Sequence, residues 1–510
     1  MGLTSTSMAA GVNVTLENQR FKSGANVVSR KILIIGTYDP SLTDIVADEP
    51  VRVFSPEHAG ALTGFGFMLH RMAVQAFAGS DGVETYIVPQ DEAGTAVQAS
   101  GTVLFAGTAT KSGTIAIYLA YSRVSVSVAS GATAAEVATA ISAAVNADKT
   151  LSVTASASTA TVTFTAKSAG PWGNDITIAF SLKAGELIPD GITATVTAMS
   201  GGAGVPDIST ALDALGTGDG SNEDFFTDVV HGYGQDTSTL DALSTYNEAC
   251  YGGLVARQFR AMTGDTVAGS AGLSALTTLG GNRKAERTNG VVPVPGSASH
   301  PAEIAAQVVG IMAKINSDRA EGHCLDQTLV DIHPGDKADR WTSEYDNRDI
   351  AVKAGISTTM VKSGVVKIQN LLTFYHPDDV PITSNGYRSM RNISILQNIN
   401  ANHKANFERE KWQGITIVSD VNRVTDVTSR KKARDVDSVK DDLAALANAY
   451  AGKAWLYSAD YTLAGLAEAD SVVIRAGGTG FDTTLKLILS GEGGIFDNTV
   501  AFDTDISVAL

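Results

Sequence analysis

At 510 residues, 44% of them hydrophobic and 18% charged, the chain has the composition of a packed globular protein and the length for about two to four domains. Its formal net charge of −16 argues against a nucleic-acid-binding protein and against docking on an anionic membrane, because both functions call for a basic field.

The cysteines and the N-terminal sequence exclude further classes of protein. Only Cys250 and Cys324 occur, which excludes a disulfide framework and a CxxC zinc site. Residues 1–18 lack the apolar core of a signal peptide, and no apolar run reaches the roughly 18 residues that a membrane-spanning helix needs. We therefore expect synthesis in a reducing cytoplasm and no membrane insertion. Residues 1–29 are interpreted as an N-terminal arm.

An α/β unit is predicted at residues 30–90. Lys31-Ile-Leu-Ile-Ile-Gly36 is an apolar run typical of a strand buried on both faces. Ser55-Pro56-Glu57 is a helix start, and the helix is predicted to run to about Ala78. Residues 83–88 predict a second strand, so this stretch is the first part of an α/β domain.

The sequence changes character at residues 91–204, which are rich in Ala, Ser, Thr and Gly. Residues 115–119 and 124–128 alternate at period two, as strands do. Thr133-Ala-Ala-Glu136 is a capping box that predicts one helix. We interpret this region as a β-rich domain inserted into the α/β domain.

Residues 205–330 continue the α/β domain, with a strand predicted at 225–230 and helices at 238–250 and 300–318. Residues 331–490 form a predicted C-terminal domain. Its predicted helices lie near 345–354, 386–411 and 434–451, and its β-type runs are 472–475 and 484–489. In the last helix the apolar residues are spaced 3-4-3-4: Val436, Val439, Leu443, Leu446 and Tyr450.

Residues 491–510 are interpreted as a C-terminal arm that ends in a third β-type run, 499–508. Its apolar positions alternate: Val500, Phe502, Ile506 and Val508. A strand near a chain terminus must pair with a sheet edge, so these four residues are candidates for a strand shared between subunits.

Chemical motifs are weak throughout, and no catalytic residue, cofactor or metal ligand is predicted. Gly477-Gly-Thr-Gly480 lacks the Lys-Ser/Thr of a phosphate loop and is typical of a turn between strands. Gly36 follows the first strand without a GxGxxG pattern. His323, Cys324 and His333 could form a nucleophile site, but a buried, inert cysteine is the favoured interpretation.

Four segments together resemble the contractile-tail sheath family, in particular the gpL-like sheaths of Mu-type myophages. They are Arg30–Thr37 with Val51–His58, Ala169–Ile176, Arg287–Pro295, and the helix opening at Gly386-Tyr-Arg388 with the β-rich tail that follows. The resemblance implies a multidomain α/β fold, with a sheath core built from both chain ends, an outer inserted domain and terminal arms that add strands to neighbouring subunits.

The resemblance also implies a function and a set of partners. Subunits would stack as hexameric rings into a helical sleeve around the tail tube and contract to drive the tube through the bacterial envelope for genome delivery. The implied partners are other copies of the chain, the tail tube protein, and baseplate and tail terminator proteins, without nucleic acid. The implied location is the virion tail, after assembly in the host cytoplasm.

A basic stretch is the candidate tube-facing surface. Residues 387–440 hold eleven basic and six acidic side chains, a net charge of +5, whereas residues 460–510 carry −6. A basic surface could bind an acidic tube reversibly, and the alternative is a solvated helix face or pairing with a neighbour's acidic tail. The candidates are Arg388, Arg391, Lys404, Arg409, Lys411, Arg430, Lys431, Lys432 and Arg434.

Other functions stay open at this point. Within the same class, the chain could be the sheath of a phage-derived bacteriocin or injection system. A different class is an α/β enzyme that uses the nucleotide-type first strand ending at Gly36. A third alternative is another virion component, such as a tube or baseplate protein.

Overall fold

A computed structural model describes residues 25–215, 225–253, 255–379 and 386–493. The chain divides into two compact units. The large unit comprises Val27–Ala405 and Leu489–Leu510, and the small unit comprises Met1–Asn26 and Asn406–Ile488. The region predicted as one C-terminal domain, 331–490, is therefore divided between the two units.

The large unit is a mixed α/β structure with several sheets. Its strands are β1 (Lys31–Thr37), β2 (Val51–Val53), β3 (Glu84–Gln90), β4 (Ser100–Gly107), β5 (Gly113–Leu119), β6 (Ser122–Val128), β7 (Val153–Ser158), β8 (Thr161–Ala166), β9 (Ile178–Phe180), β10 (Ile192–Ser200), β11 (Asp228–His231), β12 (Arg260–Asp265), β13 (Asn289–Pro293), β14 (Thr328–Leu329), β15 (Thr358–Lys362) and β16 (Val365–Asn370). Its helices are α1 (Pro56–Thr63), α2 (Met68–Ser80), α3 (Ala134–Ala147), α4 (Ser209–Ala214), α5 (Thr237–Cys250), α6 (Gly269–Asn282), α7 (Pro301–Asp318), α8 (Tyr345–Lys353) and α9 (Met390–Phe407), whose last two residues belong to the small unit.

A six-stranded sheet in the order β13-β12-β11-β1-β3-β2 is the centre of the large unit. All of its neighbouring strands are parallel except β2, which runs antiparallel to β3. Ile32–Ile35 of β1 are fully buried, as predicted for a strand covered on both faces. Helices α2 and α7 pack closely together on this sheet, and a Cβ at Gly310 would collide with the carbonyl oxygen of Ala76.

The stretch predicted to be β-rich forms two antiparallel sheets, β10-β4-β8-β7 and β6-β5-β9, with α3 packed against β7. Helix α3 begins at the predicted capping box, in which Thr133 accepts from the amide of Glu136 and the Glu136 carboxylate accepts from the amide of Thr133. Its buried residues are part of the same hydrophobic cluster as those of β1. Residues 91–204 and the six-stranded sheet therefore share a core.

A buried ion pair joins α2 to α7. Arg71 donates from Nε and Nη2 to the two carboxylate oxygens of Glu303, each at 2.9 Å. Arg71 also donates to the hydroxyl of Ser122 at 3.0 Å and to the carbonyl oxygen of Thr150 at 3.4 Å. One guanidinium thus links two core helices to the antiparallel sheets.

The single helix predicted from Ser55 to Ala78 is wrong, because the structure breaks it into α1 and α2. Gly64 and Gly66 adopt φ angles of +91° and +85°, a region that L-residues rarely enter. Ser55 caps α1 as predicted, and the other helices predicted in the large unit are present.

A charged network is buried at the amino edge of the six-stranded sheet. Arg260 Nε donates to Asp228 Oδ1 at 2.6 Å, and both side chains are fully buried. The other two nitrogens of this guanidinium donate to the carbonyl oxygen of Met390 at 2.7 Å and to Asn316 Oδ1 at 2.8 Å. Because Met390 opens α9, the network fixes that helix against the first residues of β11 and β12.

Arg30 belongs to the same network and precedes β1. Its guanidinium donates to side chains of α9, namely the hydroxyl of Ser394 and the side-chain oxygen of Gln397. Gln397 Nε2 in turn donates to the carbonyl oxygen of Gln258 at 2.9 Å. Burial, and then the neighbouring Arg260 charge, lower the pKa of Arg30 to about 9.

The small unit is mostly helical. Its elements are β17 (Thr416–Ile417), α10 (Val427–Lys432), β18 (Ala433–Arg434), α11 (Val436–Gly452), α12 (Ala459–Leu466), β19 (Val472–Ile474) and β20 (Phe481–Thr483). Val439, Leu443, Leu466 and Val472 form its core, and α11 buries the apolar side chains that recur at the predicted 3-4-3-4 spacing.

The strand predicted at 484–489 is wrong, since residues 484–488 form no strand. Carbonyl oxygens in this stretch accept hydrogen bonds from residues that are not in strands. Thr462 Oγ1 donates to the carbonyl oxygen of Lys486 at 2.9 Å, and the amide of Tyr457 donates to the carbonyl oxygen of Ile488. The observed strand β20 ends just before, at Thr483.

We expect Asp228→Asn to lower the free energy of unfolding of the large unit by about 3–5 kcal/mol, because two buried guanidinium groups then lose their shared carboxylate. Urea denaturation measures the effect. Asp190→Asn removes the exposed pair between Lys111 and Asp190, 2.8 Å apart, and should leave the unfolding midpoint unchanged. Equal midpoint shifts in the two variants would contradict the importance of the network.

Candidate interaction surfaces

The carboxyl edge of the parallel strands is where open α/β sheets bind ligands, at the point where strand order reverses. Here that point lies between β1 and β11. The side chain of Met68 fills it, since a Cβ at Gly36 would lie 2.9 Å from Met68 Sδ and one at Gly232 would collide with the same atom. The amide of Thr37 also points at Met68 Sδ, 3.4 Å away.

A second layer covers the same edge. The ring of His300, which precedes α7, stacks on Trp172 with centroids 3.6 Å apart, and its Nε2 lies 3.0 Å from the Trp172 carbonyl oxygen. Thr177 Oγ1 donates to the carbonyl oxygen of Ala298 at 2.5 Å. The crevice that the enzyme hypothesis needs, next to Gly36, is therefore filled by the protein's own side chains.

Two other motifs also have structural explanations. Burial raises the pKa of the Cys324 thiol to about 12, so it is not a thiolate nucleophile at neutral pH. Gly477 and Gly478 have φ angles of +79° and +67° and form the turn between β19 and β20, as predicted. Within the described ranges, no group of three or more His, Cys, Asp or Glu residues is placed to hold a metal ion.

The small unit carries a cluster of positive charge, which we call the basic strip and define as Arg430, Lys431, Lys432 and Arg434. The first three are exposed, and Arg434 is half-buried. The first three lie in the last turn of α10, where the negative end of the helix dipole stabilises cations. Asp426 caps the helix by accepting from the amide of Ser429 at 2.7 Å. In the described part of the chain, no residue of the basic strip has a carboxylate within 4.0 Å.

The strip is held by backbone carbonyls rather than by acids. Lys432 Nζ donates to the carbonyl oxygens of Glu410 and Gln413, at 3.2 and 3.1 Å. Arg434 Nη2 donates to that of Lys411 at 2.8 Å. These contacts orient the side chains and leave their charge without a partner anion among the described residues, which is the state expected of a surface that binds an anionic partner.

Trp412 is the part of this surface that the sequence did not reveal. Lys411 and Arg434 lie over its ring, 5.7 and 5.6 Å from the centroid, and its Nε1 donates to Asp442 Oδ2 at 2.8 Å. Asp442 also pairs with Lys411. A tryptophan directly after Lys411 was the available signal, because guanidinium and ammonium groups favour the faces of aromatic rings.

Two of the nine candidate tube-facing residues do not fit the prediction. Arg388 and Arg391 are each only 6% exposed, and burial lowers the pKa of both. Their guanidinium groups are directed into the large unit, so both leave the candidate set. Lys404 is half-buried on α9, whereas Arg409 is exposed in the small unit.

The antiparallel strands β19 and β20 are the second candidate surface. They pair only with each other among the described strands. Val473 and Ile474 of β19 are 47% and 38% exposed, while Val472 is buried. A two-stranded sheet is marginal alone and has open edges that favour strand addition. Val500, Phe502, Ile506 and Val508, predicted to supply such a strand, lie outside the described residues.

Among the described helices, none combines the length and apolar character needed to span a bilayer.

Comparison with known proteins gives one curated relative. The chain is 27% identical over 390 residues to the Mu-like prophage FluMu tail sheath protein of Haemophilus influenzae, covering 75% of this chain and 76% of that protein. This similarity confirms the resemblance to Mu-type sheaths predicted from the sequence. No protein-family model matches the chain.

Similar solved structures are also sheath proteins. The sheath tail protein of Desulfitobacterium hafniense is 12% identical, with 88% of this chain and 92% of that chain covered and a TM-score of 0.43. The contracted helical sheath of the anti-feeding prophage is 11% identical, with 98% and 100% covered and a TM-score of 0.43.

Acid should destabilise the protein below pH 6.5, because three buried histidines are held neutral. Burial lowers the pKa of His70 and His231 to about 4 and that of His300 to about 3. Their contribution to stability is complete above the usual pKa near 6.5 and is lost as the pH falls toward 4. Asp265, whose pKa burial raises to about 6, titrates in the opposite sense.

Unfolding then takes up protons between pH 6.5 and 4.5, and each proton adds a slope of about 1.4 kcal/mol per pH unit to the free energy of unfolding. Urea denaturation between pH 6.5 and 4.5 measures it. His300→Gln can keep both hydrogen bonds and should reduce the uptake by about one proton. A wild-type stability that does not change across this interval would contradict the assignment.

Proposed function

We propose that this protein is the structural subunit of a contractile tail sheath. Its subunits stack as hexameric rings into a helical sleeve around the tail tube, and contraction drives the tube through the bacterial envelope for genome delivery. The observation that carries the proposal is the 27% identity to a tail sheath protein over three quarters of both chains. The filled crevice at the carboxyl edge favours this function over the enzyme alternative.

The subunits are linked, in this proposal, by exchange of terminal strands. The open edges and half-exposed apolar residues of β19 and β20 supply an acceptor, and the alternating residues of the predicted arm, 491–510, supply a strand. Backbone hydrogen bonds in an added strand survive rotation of the bodies they connect, whereas side-chain contacts between bodies can exchange. The inserted β-rich region, 91–204, would then face outward from the tube.

The tail tube is the proposed partner of the basic strip. Three exposed cations and the half-buried Arg434, with no carboxylate of the described residues within 4.0 Å, lie next to Trp412 and form a surface suited to an acidic partner. Such contacts are screened by salt and reversible, which suits a sleeve that must slide along its tube. The baseplate and a tail terminator are the proposed partners at the two ends of the sleeve. The location is the virion tail, after assembly in the host cytoplasm.

Reversal of the basic strip should weaken binding to the tube without unfolding the chain. Arg430→Glu, Lys431→Glu and Lys432→Glu change the charge by −6 at exposed positions. Co-assembly with the tube protein, followed by negative-stain microscopy and sedimentation, should show at least about a tenfold loss of decorated tubes. Lys149→Glu, Lys183→Glu and Lys337→Glu make the same charge change elsewhere and serve as the control. Equal loss of decorated tubes in both variants would mean that net charge, and not the basic strip, determines binding to the tube.

The proposed strand exchange can be tested through the alternating apolar residues of the arm. Replacing Val500, Phe502, Ile506 and Val508 by Ser removes the apolar face of the proposed strand, and sleeves should no longer form at wild-type concentration because the acceptor edge loses its apolar contacts. The matched control replaces the intervening Ala501, Asp503 and Asp505 by Ser. Sleeves of normal length from the first variant would contradict strand exchange.

A further inference from the structure

The segment Ser490–Glu492 is held against the first turn of α9. Arg391 Nη1 donates to the carbonyl oxygen of Ser490 at 2.7 Å, and Nη2 donates to its hydroxyl at 2.6 Å. Ser389 Oγ donates to Glu492 Oε1 at 2.7 Å. The guanidinium is fixed from behind, because Nε donates to the carbonyl oxygen of Glu321 at 2.7 Å. The segment is therefore fastened at two points.

Charge reinforces these hydrogen bonds. The Glu492 carboxylate lies at the amino end of α9, where the helix dipole is positive, and within the field of Arg391, whose pKa it raises against the larger effect of burial. His323 Nδ1 is 3.9 Å from Glu492 Oε1. The Glu492 side chain also lines a cavity together with Arg260, Cys324 and Arg391.

The fastened segment has a special place in the chain. Leu489 is the first residue of the large unit after the small one, and the predicted C-terminal arm, 491–510, begins within the segment, at Gly491. At its other side, α9 is joined to the six-stranded sheet, because the Met390 carbonyl accepts from Arg260. A continuous series of charged hydrogen bonds thus connects Glu492, α9 and the central sheet.

We infer that Ser389 and Arg391 form a clamp that anchors the C-terminal arm to the large unit, so that a pull on the arm passes through α9 to the six-stranded sheet. This inference rests on the proposed function, which makes the arm a link between subunits. The clamp explains why a guanidinium predicted to face the tube is buried instead. It stays closed in the extended and the contracted sleeve, and the arm moves with the large unit in both.

The clamp itself can be measured in the unassembled full-length chain. Spin labels at Gly491→Cys and at Asp318→Cys, on the exposed end of α7, report the distance between the segment and the large unit. The wild-type background should give a narrow distribution of distances.

Arg391→Ala with Ser389→Ala should widen this distribution at least about twofold. Glu492→Lys alters a partly exposed side chain, leaves the buried guanidinium in place and should widen it too, through repulsion from Arg391. Lys149→Ala with Ser127→Ala, both exposed, is the matched control.

The anchoring role is measured on sleeves. The clamp variants keep the arm and its acceptor strands, so they should assemble, but their sleeves should break into short pieces on contraction while control sleeves stay whole. A narrow distribution in both clamp variants overturns the clamp. Sleeves that contract unbroken with a wide distribution overturn the anchoring role. Failure of the wild-type chain to form sleeves overturns the proposed function and the anchoring role with it, and the distance measurement still decides whether the clamp exists.

Discussion

The buried carboxylate of Asp228 is the constraint on which the large unit depends. It pairs with Arg260 at 2.6 Å in a cluster that also holds Arg30, so one negative charge serves two positive ones. Carbonyl and amide oxygens of α7 and α9 must complete the coordination. Because an unpaired buried charge costs several kcal/mol, α9 cannot shift without breaking the whole set. Strands β1, β11 and β12 and the start of helix α9 are therefore held together by one charged network.

The opposite edge of the sheet shows how a binding fold can serve another purpose. The strand order has the reversal point at which nucleotides bind in many α/β proteins, but Met68 fills that point and Trp172 and His300 close the layer above it. Both ends of the parallel strands are thus sealed, one by charge and one by packing. A filled crevice of this kind is compatible with the proposed role in assembly.

Local signals in the sequence predicted local structure well. The capping box at Thr133 and Glu136 and the apolar spacing of α11 involve residues a few positions apart, and both are present. The family was recognisable because four separated segments occur in order, and the curated relative confirms it. Errors arose where distant contacts decide. The break at Gly64 depends on a positive φ angle, and Arg391 looked like a surface cation because its partners, Glu321 and Ser490, lie far away in sequence.

The two-stranded sheet of β19 and β20, whose outer edges pair with no other described strand, also affects the behaviour of the free subunit. Apolar side chains beside unsatisfied backbone groups would draw copies together as soon as they are made. A net charge of −16 opposes this attraction by mutual repulsion between copies. Charge repulsion therefore favours soluble subunits, whereas the apolar strand edges favour polymerisation. Higher ionic strength screens the repulsion and favours the polymer. In the proposed assembly, the basic strip binds the acidic tail tube, and this binding offsets part of the repulsion between copies. Growth of the polymer then starts on the tube and not in free solution.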